Sequence, residues 1–148
     1  MRVRGIMLAA GTVSFILVLG AFQPPYGAPQ EILNEEGYAA VMKEIDLTMG
    51  DAGMNIDAMY WDDLGVVTDR LTVLFERVQA FWTARQVRPA MDFSAAALAA
   101  TYAVGQASGA RSGSRANQTM TELRSVCRSC HTEFRERIDG GFRIKPGT

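Results

Sequence analysis

The chain is poor in the residues that do most site chemistry. Its 148 residues include one histidine, His131, and two cysteines, Cys127 and Cys130. A single histidine excludes a site built on two imidazoles from within the chain. Two cysteines leave room for one disulfide at most. A structural zinc site needs four ligands, and these three residues leave it one short. The net charge of −1 gives no bulk reason to expect nucleic acid. There is no phosphate loop and no pair of carboxylates placed for acid–base work, so the chain reads as a non-enzyme. Strand-like alternation is also missing. A thioredoxin-like Cys-x-x-Cys needs a βαβ context, and the pattern offers none. No internal repeat or long low-complexity tract is present.

What the chain does have is its three ligand-type residues in one stretch, Cys127-Arg128-Ser129-Cys130-His131. C-x-x-C-H is the attachment signature of a c-type haem. The two thiols form thioethers with the porphyrin vinyl groups, and the histidine ligates the iron from below. On a helix, positions i, i+3 and i+4 share a face, so all three side chains can meet one flat ring. The implied cofactor is one covalent haem c. A disulfide between Cys127 and Cys130 is the competing reading, because exported proteins favour such bridges.

The N-terminus supports export. Arg2 and Arg4 precede Ile6–Phe22, an uncharged and mostly apolar run of 17 residues. That length lies between the core of a cleavable signal, about 7–15 residues, and a membrane span of about 17–25. Residues 1–22 therefore read as a signal peptide or a membrane anchor, with Leu19-Gly20-Ala21 as a small-residue cleavage site. Either way the domain is periplasmic, cut free or tethered to the cytoplasmic membrane. Residues 23–30 hold Pro24, Pro25, Gly27 and Pro29 and form a linker. Residues 31–148 form one domain. Its charge is segregated. Eleven acids in residues 31–76 face only Lys43 and Arg70, whereas residues 111–148 carry eight bases against four acids. The motif end is thus basic, suited to an acidic partner.

Helical spacing predicts four helices. The first covers about 31–51, with Tyr38, Val41, Met42, Ile45 and Met49 as its stripe and Gly50 and Gly53 at its end. The second covers about 56–85, capped by Asp57 and striped by Leu64, Val67, Leu71, Leu74, Val78, Phe81 and Trp82. Pro89 closes it. The third, about 92–107, is alanine-rich and presents Phe93, Ala97, Ala100 and Val104. The fourth, about 115–138, carries the motif in its middle, with Leu123, Val126, Cys127, Cys130, Phe134 and Ile138 facing inward. Gly140 and Gly141 stop it, and a short basic tail follows. Short connections favour antiparallel neighbours. The expected fold is all-α, an antiparallel four-helix bundle behind an N-terminal signal peptide or anchor.

A haem motif on the last helix of such a bundle resembles the class II cytochromes c, the cytochrome c′ family and its low-spin six-coordinate relatives. Two stretches carry the resemblance. One is Cys-Arg-Ser-Cys-His-Thr-Glu-Phe-Arg at 127–135; the other is Ala40-Val41-Met42-Lys43-Glu44-Ile45. The resemblance spans roughly 31–145. It implies that Met42 is the distal iron ligand opposite His131, with Met49, two turns on, as runner-up. Met54, Met59, Met91 and Met120 are read as packing. Family members often carry a basic residue shortly before the distal ligand; here Tyr38 and Ala39 stand in that neighbourhood. Trp61, Trp82, Tyr60, Tyr102 and Phe134 are candidates to line the pocket. The implied function is electron transfer to a redox partner protein or a membrane electron-transfer complex. Without a methionine ligand, it is binding of nitric oxide or carbon monoxide. A tethered haem subunit of a membrane redox complex is the third reading. A homodimer is compatible with the same resemblance.

Overall fold

The structure, a computed structural model, describes residues 32–148. The expected signal peptide or anchor at Ile6–Phe22 and the linker lie outside those residues. Helix α1 spans Glu35–Ala58. The Asn34 side chain accepts from the Gly37 N–H at 2.8 Å, and Glu35 and Glu36 occupy the first turn. Both features favour a helix start. The buried residues Tyr38, Val41, Ile45, Thr48, Ala52 and Ile56 repeat at helical spacing. This helix runs through Gly50 and Gly53, where the sequence pattern predicts its end. Each glycine costs about 1 kcal/mol in a helix interior. Burial of Ala52 between them and Ile56 beyond them outweighs that cost. The stop is Met59, in the left-handed region at φ 58, with its N–H returned to Asn55 and Ile56 carbonyls.

Helix α2 spans Trp61–Arg85 and buries Leu64, Thr68, Leu71, Leu74, Phe75, Val78, Phe81 and Trp82. Ile56 and Asp57 thus belong to α1, and Asp57 caps nothing. Helix α3 spans Arg88–Gly109. Pro89 sits in its first turn rather than closing α2, because the first turn needs no donor from it. Its buried face is wider than the expected stripe and includes Ser94, Leu98, Thr101 and Ser108.

Helix α4 spans Gly113–Phe134 and ends a turn before the expected Ile138. Strands β1 (Arg135–Ile138) and β2 (Gly141–Ile144) follow as an antiparallel hairpin. The expectation of a strand-free chain fails here. Asp139-Gly140 makes the turn, with Gly140 at φ +84, a conformation glycine takes without a Cβ clash. Ile138 is accordingly exposed rather than inward.

Two- and three-residue connections turn each helix back on the last. Consecutive helices pack extensively, whereas α1 meets α4 only lightly. The core runs through Leu64, Leu71, Val104, Leu123, Phe81 and Trp82. Among the described residues no helix is long and apolar enough to cross a membrane.

Candidate functional site

The light contact between α1 and α4 leaves a cavity of about 850 Å³, within the range of cofactor sites. Helix α4 contributes Cys130, His131 and Phe134 to its wall. Helix α1 contributes Tyr38, Met42, Lys43 and Asp46, and α2 contributes Trp82. The hairpin closes one side with Gly140, Gly141, Phe142, Arg143 and Ile144. Two of the motif's three side chains and the expected distal methionine therefore line one cavity from two helices. Cys127 lies beside it, half-buried against the core, and is not part of the lining. Met49 also packs against the core without lining the cavity.

The cavity's inner wall is aromatic. Tyr38 stacks on Phe81 at 4.2 Å and meets Trp82 edge-on at 5.6 Å. Trp82 packs on Phe134 at 5.4 Å, and Phe134 on Phe93 at 6.3 Å. Of the five aromatic candidates, Trp82 and Phe134 line the cavity. Tyr60 and Tyr102 face solvent, and Trp61 packs at the core edge. Among the remaining methionines, Met120 is buried and Met91 packs on the core, but Met54 and Met59 are exposed.

Burial shapes the chemistry of the motif. It pushes the Cys127 thiol up to about 11. Cys130 also rises to about 11, from burial first and then from the neighbouring Cys127 and Glu133. Both thiols are free. His131 is held below its ordinary value by burial and by Arg135, with Asp46 acting the other way. A neutral imidazole is the form that binds metal.

Among the described residues no three or more His, Cys, Asp and Glu side chains gather as a metal cluster. A haem asks for less, because its ring nitrogens already surround the iron and the protein supplies axial donors. An imidazole and a thioether on the walls of a cavity with an aromatic inner face and a charged rim fit that demand.

The hairpin is the part of the site that helical spacing misses. Its signal is local: Asp139-Gly140 between Arg-Glu-Arg-Ile and Gly-Phe-Arg-Ile. Arg143 pairs with Glu136 at 2.6 Å, and the Lys145 N–H donates to the Phe134 carbonyl at 2.9 Å. Arg135 lies over the Phe142 ring at 4.0 Å and Arg137 at 5.4 Å. No protein-family model, curated protein or solved structure matches the chain.

Proposed function

We propose that the chain is a periplasmic c-type monohaem cytochrome of the class II kind, an antiparallel four-helix bundle that transfers electrons. One observation carries the reading: His131 and Cys130 of the C-x-x-C-H motif share a cofactor-sized cavity with Met42 of the first helix. Cys127 and Cys130 would hold the ring as thioethers, and His131 and Met42 would hold the iron. Bound haem supplies a one-electron ferric–ferrous couple whose potential follows ligand identity and burial. The chain's own residues prepare for it. Burial keeps His131 neutral, with a lone pair available to a metal. The side chains of Tyr38, Trp82 and Phe134 keep water from the inner wall. Arg2, Arg4 and Ile6–Phe22 direct export, which haem attachment to Cys-x-x-Cys-His requires, and leave the domain free or tethered. Its partner is a redox protein or a membrane electron-transfer complex.

Intact mass tests attachment. The exported protein should exceed its polypeptide mass by one haem, and acid–acetone should leave the haem in place. Complete extraction overturns covalent attachment. Optical spectra test the ligand. The ferric protein should show the weak near-infrared band of methionine–iron ligation. Met42→Ala should abolish it, turn the iron high-spin and admit carbon monoxide, while Met49→Ala leaves it. If ferrous wild type is already five-coordinate and takes up carbon monoxide at once, Met42 is not the ligand and gas binding replaces electron transfer.

A further inference from the structure

Tyr38 carries a proton that the protein does not use. Its side chain is 8% exposed and lines the cavity between α1 and α4. The hydroxyl accepts a hydrogen bond from Trp82 Nε1 at 3.2 Å. An indole N–H only donates, so this bond occupies an oxygen lone pair and leaves the phenolic proton free. Among the described residues that proton has no acceptor. A buried donor left in this state is unfavourable, and such groups ordinarily find a partner. The ring is fixed between Phe81, stacked at 4.2 Å, and Trp82, edge-on at 5.6 Å. Burial, the largest influence on this hydroxyl, holds its pKa well above the ordinary value, so it stays a donor through neutral pH. Tyr38 and Met42 stand four residues apart on α1, one above the other on the cavity face.

We propose that Tyr38 is a positioning residue of the cavity, its phenolic proton donated to a carboxylate of the bound cofactor and its oxygen held by Trp82. The inference rests on the haem reading. The ring nitrogens of a haem are taken up by iron, which leaves the two propionate carboxylates as its conventional acceptors. Lys43, Arg135 and Arg143 line the same cavity and supply positive charge toward such a group, against Glu35, Glu36 and Asp46 on the α1 side. Lys43 has no ion-pair partner among the described residues, whereas Arg143 is shared with Glu136. A hydrogen bond to an ionised acceptor is short and about twice as strong as a neutral one, so this donor fixes how the ring sits.

The test compares haem-loaded wild type with Tyr38→Phe, which keeps the ring packing and removes only the hydroxyl. Resonance Raman spectra read the propionate bending vibration, which rises when the carboxylate accepts a stronger hydrogen bond. In Tyr38→Phe it should shift down, while the bands of iron ligation stay in place. An unchanged vibration overturns the inference and leaves the haem reading standing. A wild type without covalent haem, seen in its mass, overturns both. If Tyr38→Phe does not mature, a structure of the haem-loaded wild type answers the same question. Tyr38 Oη within hydrogen-bond distance of a carboxylate oxygen is the expected result. The hydroxyl turned to a ligand on the iron, or to a backbone carbonyl, overturns it.

Discussion

Burial holds all three motif side chains in their neutral forms, with opposite consequences for acid and base. The Cys127 and Cys130 thiols rise from 9.0 to about 11. A thiol raised on folding stabilises the native state fully below its unfolded value, and that contribution is lost as pH climbs toward the folded value. Tyr38 shifts in the same sense, mainly through burial. His131 moves down from 6.5, through burial first and Arg135 second. A base depressed on folding contributes stability above its unfolded value and loses it as pH falls below that. The haem-free protein should therefore be most stable between about pH 6.5 and 9, weakening on both sides. Urea midpoints from pH 5 to 11 measure this. A midpoint that holds constant from pH 8 to 11 would show that the thiols are not buried as described.

Among the elements, the interiors were legible and the ends were not. The stripes of α1 and α2 follow from apolar spacing, because burial of one face is what makes those segments helical. Boundaries depend on smaller terms that oppose one another. Gly50 and Gly53 look like a stop, but the stripe resumes at Ala52 and Ile56 and carries the helix over them. Ile138 continues the α4 stripe four residues after Phe134, and that spacing hides the Asp139-Gly140 turn that takes the segment into the hairpin. The two glycine positions should respond oppositely to alanine. A Cβ at Gly50 meets nothing within 4 Å, so Gly50→Ala should stabilise by about 0.5–1 kcal/mol through helix propensity. Gly140 also has open space, but its φ of +84 strains any side chain. Gly140→Ala should destabilise by about 1 kcal/mol and loosen the hairpin over the cavity. Chemical denaturation of both variants measures the signs. Destabilisation by Gly50→Ala would mean that α1 is broken at that point.

At the scale of the whole molecule, helical spacing groups only the local half of the site, and Met42 across the cavity enters through the resemblance to a known family. Cys127, Cys130 and His131 lie within five residues, so their spacing on a helix suffices to group them. Met42 and Tyr38 face Cys130 and His131 because α1 and α4 stand apart across the cavity, and apolar spacing within either helix does not report that pairing. That separation also sets how the molecule opens. Helix α1 leans on α2 and meets α4 lightly. Its ion pairs to α2 are Glu35–Arg85 at 2.9 Å and Glu44–Arg70 at 2.6 Å, beside one neutral hydrogen bond from Trp82 Nε1 to Tyr38. Each pair has one well-exposed partner and one partly buried one, and such surface pairs contribute about 0–1 kcal/mol. Helices α2, α3 and α4 each have an extensive neighbour without help from α1, since α3 packs on both others. In the haem-free protein α1 should therefore open as a unit while the other three stay closed. Native-state hydrogen exchange should show its amides exchanging first, at a free energy below that of α3. A group bound by both Met42 and His131 joins α1 to α4 and stabilises only the closed state. Loading with haem should then slow α1 exchange by at least tenfold, about 1.4 kcal/mol, with a smaller change in α3. If α1 is already as protected as α3 without haem, the cavity is a rigid feature of the fold and haem is not what holds the first helix to the last.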